Sequence, residues 1–295
     1  MNKSMTKSNF SAVSGLLLML TACGTENSAE GISPQSRPAA ASAVQNTDMP
    51  VPSAEELLKL AEAASREVTG YKLHTDREEH VMTAPDGSPD AHYRIVTKLT
   101  LNPLAAYREL DLLQEGDEPK QPLKRYVGEE AVYSAYRETG WVKEKREDLP
   151  ATLENLRGAV DLPQQLQALA EAGGDRSVAV QNGNPLLTVV LEGNEKREIA
   201  EQYMRQSDDS LPRMQGNISR WDVHRLEVSY EFDRTSLLPV SSTVKFELAI
   251  PEDAELQPGA QRKFNMRADY SDYNKIDRIE IPAEVIQQAG GSEEP

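Results

Sequence analysis

The sequence predicts an α+β fold, in which one curled antiparallel sheet of about ten strands has helices covering its apolar face. Several segments alternate apolar and polar residues with a period of two, which is typical of strands with one covered and one solvated face. Turn signals separate consecutive strands, so hairpins and antiparallel pairing are expected. Leucine-rich segments with helical spacing lie between the groups of strands and supply the cover.

The first ordered element is an amphipathic helix over residues 54–69. Ser53 is placed to cap its N-terminus, and Glu56 follows three residues later as in a capping box. Gly70 is expected to end the helix.

The first group of strands follows Gly70. The alternation from Ile95 to Leu101 predicts one strand. Residues 106–113 suit a second strand, although the same letters also suit a short helix. Residues 133–145 are typical of a hairpin that turns at Glu138–Gly140.

The middle of the chain is predicted to be mainly helical. Two helices are expected over residues 152–172, the second of them beginning at Asp161. A hairpin over 177–192 turns at residues 182–185, where Asn-Gly-Asn-Pro is a strong turn signal. A charged helix over 195–205 follows.

The clearest strands are the three C-terminal ones, over residues 225–232, 244–250 and 264–270. In each of them every second residue is apolar, so one face is expected to be wet and the other covered. A short strand over 279–281 and a helical turn over 282–286 complete the predicted elements.

The N-terminus resembles the export signal of a bacterial lipoprotein. Its apolar stretch is about half as long as the roughly 20 residues that a membrane-spanning helix needs. Residues 20–23 read Leu-Thr-Ala-Cys and resemble a lipobox, and Cys23 is the only cysteine in the chain. The resemblance implies that cleavage precedes Cys23 and that its thiol carries diacylglycerol, so the protein is expected to be lipid-anchored at the extracytoplasmic face of the cell membrane. A free buried or redox-active cysteine is the alternative.

Three regions are predicted. Residues 1–22 form the signal peptide, residues 23–52 a lipidated cysteine with a disordered tether, and residues 53–295 one domain. The chain has 48 acidic against 32 basic residues and a net charge of −16, which argues against nucleic acid as a partner.

Three sequence segments of the domain resemble those of LolA-like lipoproteins, and in particular those of a branch found as surface lipoproteins of Gram-positive bacteria. They are residues 136–143, 230–240 and 270–276, the last leading to Ile281–Val285. The resemblance implies a half-open antiparallel barrel with helices over its concave face. It also implies a cavity for the acyl chains of lipids or lipoproteins, or a sensor of such chains that acts on a regulatory partner.

The larger apolar residues of the C-terminal strands are the candidate cavity wall, namely Phe232, Phe246, Leu248, Phe264 and Met266. The alternative is that they are ordinary core between sheet and helices, because alternating strands look the same in both cases. The predicted partners are therefore the membrane, a hydrophobic ligand and an envelope protein.

Motifs of catalysis are not found in the sequence. It contains no nucleophile elbow, phosphate-binding loop or dinucleotide fingerprint, so no enzymatic activity and no cofactor are expected. His74, Asp76, Glu78 and His80 share one face of a predicted strand and make a weak candidate metal patch. The alternative of a solvated strand face is favoured, and no metal is predicted.

Overall fold

One antiparallel sheet contains all eleven strands of the residues that the computed structural model describes, which are 51–82, 91–113, 123–136, 140–207, 222–250, 252 and 259–290. The strands are β1 (Gly70–Val81), β2 (Ala91–Leu101), β3 (Leu104–Leu113), β4 (Leu123–Val127), β5 (Val132–Tyr136), β6 (Gly140–Lys143), β7 (Gly174–Gln181), β8 (Asn184–Leu191), β9 (Asp222–Phe232), β10 (Pro239–Ala249) and β11 (Gln261–Ser271). The helices are α1 (Ala54–Ser65), α2 (Leu149–Val160), α3 (Leu162–Glu171), α4 (Glu195–Ser207) and α5 (Ala283–Gly290).

The sheet is open. Its strand order is β6-β5-β4-β3-β2-β1-β11-β10-β9-β8-β7, so β6 and β7 are its two edges. Only the pairing of β1 with β11 joins strands that are distant in sequence, and it places the two ends of the domain side by side in the centre of the sheet. The predicted α+β class and LolA-like half-barrel architecture are confirmed, with eleven described strands instead of about ten.

The two faces of the sheet differ in burial. On β1 the odd-numbered residues from Tyr71 to Glu79 are buried, whereas the even-numbered ones are at least partly exposed. The buried face, called the inner face below, belongs to one core cluster with residues of α1, α2, α3 and α4. The core therefore lies between the inner face and these four helices.

Local sequence explains where the helices begin. The Ser53 hydroxyl accepts a hydrogen bond from the Glu56 amide at 3.2 Å, and Asp161 does the same for the Gln164 amide at 2.9 Å. Such caps satisfy amides that have no partner within the helix. The predicted cap at Ser53 and the predicted start of a helix at Asp161 are confirmed.

Three details differ from the prediction. Helix α1 ends at Ser65, earlier than predicted, and Gly70 opens β1 instead of ending the helix. A Cβ atom on Gly70 would lie 2.6 Å from the carbonyl oxygen of Leu99, so this close approach requires glycine. Residues 279–281 do not form a strand, since the chain from 272 to 282 runs irregularly to α5. Strand β4 was not predicted, because its sequence Leu-Lys-Arg-Tyr-Val does not alternate: Arg125 is on the same face as Val127.

Helix α5 lies on the other side of the sheet. Val285 and Ala289 pack against Tyr133 in a second, smaller core cluster, which Tyr126 and Trp141 join. Tyr126 precedes Val127, whose side chain lies in the main core, so it must point to the opposite face. One helix thus covers the outer face, where the sequence predicted helices only on the concave face.

Candidate functional site

The five predicted cavity residues lie together on the inner face. Each of them is at most 2% exposed and belongs to the main core cluster. The register places Phe246 opposite Phe264 and Leu248 opposite Arg262, on the neighbouring strands β10 and β11. Whether they also line a ligand cavity stays a prediction.

Aromatic stacking fills this part of the interior. The rings of Phe246 and Phe264 stack with centroids 4.7 Å apart and planes 13° apart. Phe232 stacks on Tyr230 with centroids 5.7 Å apart. Such stacks contribute about 0.5–1.5 kcal/mol beyond area burial. A ligand in contact with these rings would therefore replace contacts that the protein already makes with itself.

Buried tyrosine hydroxyls join the helices to the sheet, and the sequence reasoning missed them. The hydroxyls of Tyr203 on α4 and Tyr230 on β9 lie 2.9 Å apart, and Tyr230 donates to Oε1 of Gln165 on α3 at 3.2 Å. Nearby, Ser242 and Tyr270 share a hydrogen bond of 3.2 Å. Burial raises the pKa of Tyr203 and Tyr230, so both stay neutral at physiological pH. Tyr230 and Tyr270 have the same parity as the predicted cavity residues of their strands, which is the signal that places them inside.

A charged cluster lies at the end of the inner face where β1 ends. The Arg77 guanidinium lies between the rings of Tyr93 and Phe264, 5.3 and 5.0 Å from their centroids. The Glu79 carboxylate accepts hydrogen bonds from Arg77 at 3.3 Å and from Arg262. Burial, and then the charge of Arg77, lower the pKa of the Arg262 guanidinium. The apolar layer is thus bounded at this end by buried ion pairs, which the inward parity of Arg77 and Glu79 on β1 could have indicated.

A third arginine connects the sheet to the end of α4. Arg108 on β3 is 8% exposed, its Nε donates to the Thr97 hydroxyl at 3.3 Å, and its guanidinium also donates to the carbonyl of Gln206. Cations at helix C-termini stabilise the unpaired carbonyls there. Arg108 therefore links the C-terminal end of α4 to β3, in the N-terminal half of the sheet.

Two pockets formed by described residues lie elsewhere, on either side of the turn between β4 and β5. One has a volume of about 470 Å³ and the other about 450 Å³. None of the five predicted cavity residues lines either of them.

The comparisons with known proteins assign a family. The sequence profile of the family of unknown function DUF6612 matches residues 53–290. This chain belongs to that family. No curated protein matches the sequence.

Solved structures similar to this DUF6612 chain have low sequence identity. LprF from Mycobacterium bovis is 10% identical, with a TM-score of 0.44, over 78% of this chain and 95% of LprF. A LolA superfamily protein from Nitrosomonas europaea is also 10% identical, with a TM-score of 0.24, over 79% of this chain and 97% of that protein.

The residues of the candidate metal patch are at least partly exposed on the outer face of β1. Asp76 lies 3.4 Å from the His92 ring and 3.5 Å from the Arg94 guanidinium, and Glu78 accepts from Asn265 at 3.3 Å. Within the described ranges, no group of three or more His, Cys, Asp or Glu side chains is arranged to hold a metal ion. These carboxylates are occupied by cross-strand partners.

The predicted signal peptide, Cys23 and the tether up to residue 50 lie outside the described residues. Among the helices that are described, none combines the length and the apolar character required to cross a bilayer.

Proposed function

We propose that this protein is a non-enzymatic envelope lipoprotein, anchored through diacylglycerol on Cys23, that binds a hydrophobic ligand such as an acyl chain between the inner face and the helices above it. The observation that carries the proposal is the continuity of the apolar layer. It extends from Val132 on β5 to Leu187 on β8 within one core cluster. An acyl chain requires such a long apolar surface, and each buried methylene contributes about 0.8 kcal/mol.

The contacts between the helices and the sheet support binding of such a ligand between the two layers. They include polar contacts at defined points, such as the Tyr203–Tyr230 pair and the Tyr71 hydroxyl, which donates to the Val160 carbonyl at 2.8 Å. Elsewhere the two layers meet through apolar side chains, which adapt to a ligand without leaving polar groups unpaired. The sequence resemblance to LolA-like lipoproteins supports the same class of ligand.

The experiment is native mass spectrometry of the full chain purified from its own cells. Co-purified lipid that leaves on collisional activation is the expected result. A tryptophan at Phe232 gives a second readout, because a brominated fatty acid should quench Phe232→Trp far more than the matched Val180→Trp, whose site is 57% exposed on edge strand β7. Equal quenching of both, together with a lipid-free protein, would contradict the proposal.

The second candidate is an interaction or sensor lipoprotein whose interior is filled by its own side chains and whose surface docks an envelope protein. The stacked pair of Phe246 and Phe264 and the hydroxyl pair of Tyr203 and Tyr230 favour it, because both occupy the space where a ligand would lie. It predicts a lipid-free protein in the same experiment.

A further inference from the structure

A groove on the rim of the sheet combines an apolar floor with an acidic margin. It has a volume of about 470 Å³ and lies between the β2–β3 turn, the β4–β5 turn and residues 277–281. Leu104, Ala105 and Tyr133 on its wall are at most 9% exposed, while Ile286 of α5, on the same wall, is 48% exposed. The exposed isoleucine beside these apolar groups offers a partner an apolar contact.

Charge distinguishes this groove from its neighbour. The side chains that line it include four carboxylates, of Glu129, Glu130, Asp277 and Glu280, and one guanidinium, of Arg278, which already lies 3.3 Å from the Glu280 carboxylate. The pocket on the other side of the same turn mixes both signs, with Lys143, Lys145 and Arg146 besides Glu129, Glu130 and Glu144. Only the first groove therefore favours a partner of one sign.

We infer that this groove docks a segment of another polypeptide in which lysine or arginine side chains flank an aliphatic residue. The aliphatic residue packs on the exposed side chain of Ile286, and the basic side chains reach the carboxylates of Glu129 and Glu280. Complementary charge at the margin speeds the encounter and selects the partner, while the apolar floor gives the contact its lifetime. None of the five candidate cavity residues lines this groove, so the inference does not depend on the ligand proposed above.

The test measures binding of a fluorescent peptide of alternating lysine and leucine to the full-length chain in nonionic detergent. The double variant Glu129→Lys with Glu280→Lys should weaken binding by about tenfold or more. The matched variant Asp175→Lys with Glu192→Lys makes the same change in net charge at the β7 end of the sheet and should change binding less than about twofold.

Two further measurements separate docking from attraction to an acidic protein. Ile286→Asp should weaken binding of the lysine–leucine peptide. A peptide of alternating lysine and serine should bind the unmodified chain much less well than the lysine–leucine peptide. Thermal unfolding of each variant checks its fold. Equal losses in the two charge-reversed variants, or equal binding of the two peptides or of spermine, would overturn the inference.

Discussion

At the scale of single residues, the Asp233 carboxylate organises the turn between β9 and β10. It accepts hydrogen bonds from the Thr235 amide at 3.1 Å, the Ser236 amide at 2.7 Å and the Ser236 hydroxyl at 2.9 Å. These bonds, with the Ser236 amide first, lower the pKa of Asp233. The turn belongs to segment 230–240, one of the sequence segments that resemble LolA-like lipoproteins. The role of Asp233 in it is to hold the turn.

Replacing Asp233 by alanine should lower the free energy of unfolding by about 0.5–2 kcal/mol, as for the loss of a helix cap. Because its pKa is lowered in the folded state, the carboxylate stabilises the fold above its unfolded pKa of about 4 and loses this effect as the pH falls through its folded value. Urea unfolding at neutral pH and at strongly acid pH measures the difference between the two proteins. The difference should shrink in acid, and a constant difference would contradict the assignment.

Tyr230 is expected to control stability at alkaline pH. Tyr230→Phe leaves the Gln165 carbonyl oxygen and the Tyr203 hydroxyl without their partner, which should cost about 1–3 kcal/mol. Burial raises the pKa of Tyr230, so the folded protein keeps its proton while the unfolded chain ionises near pH 10, and stability falls as the pH rises above that value.

Tyrosinate absorbance and circular dichroism, recorded together during alkaline titration, test this effect. Tyr107→Phe on the outer face is the control. Tyr107 is only partly buried, and burial raises its pKa to about 12, a smaller shift than that of the buried Tyr230. Ionisation of all tyrosines with the circular dichroism unchanged would contradict the buried role of Tyr230.

At the scale of elements, the β7–β8 hairpin depends on a two-residue turn. Asn182 and Gly183 have φ values of 52° and 85°, as in a type I′ turn. Asn-Gly is the preferred pair for this geometry, because asparagine tolerates the left-handed region and glycine has no Cβ atom. The sequence therefore predicted both the hairpin and its turn.

Gly183→Ala should destabilise the protein by about 1–2 kcal/mol, since alanine is strained at positive φ even though no atom lies within 4 Å of the new Cβ. Gly158→Ala in α2 is the matched control: its Cβ also meets open space, but its φ is not in the left-handed region, so the change should stabilise by about 0.5–1 kcal/mol. Thermal unfolding compares the two. Equal effects of the two substitutions would show that the turn geometry is unimportant.

The elements that the sequence misplaced share a physical reason. Alternation reports burial of one face, so it found the long strands β9, β10 and β11, but in β4 Arg125 is on the same face as Val127 and breaks the pattern. The apolar residues Ile279 and Ile281 suggested a strand, yet they belong to the irregular segment that carries the chain to α5. Local pattern cannot tell packing of a connecting segment from pairing of a strand.

At the scale of the whole molecule, the candidate site was predicted only in part. Inward parity correctly placed Phe246 and Phe264 in the interior, because the period of a strand decides which face a residue occupies. The partners of these residues were not predictable, since the stack of Phe246 on Phe264 and the position of Arg77 over Phe264 depend on the register between β1, β10 and β11. Eleven residues separate β10 from β11, too many for a tight turn to fix the register, and the register of β1 against β11, which are far apart in sequence, comes from tertiary packing.

The last prediction concerns Cys23, through which we propose that the whole molecule is anchored. Cys23→Ser removes the only thiol that can carry diacylglycerol, so the protein should leave the membrane fraction. Two acyl chains hold a protein durably, because each buried methylene contributes about 0.8 kcal/mol and one chain alone binds only marginally. Cell fractionation measures the change, and mass spectrometry of the N-terminal peptide tests for the lipid. Ala22→Ser keeps a small residue before the cysteine and should stay in the membrane fraction, whereas retention of Cys23→Ser there without detergent would contradict lipid anchoring.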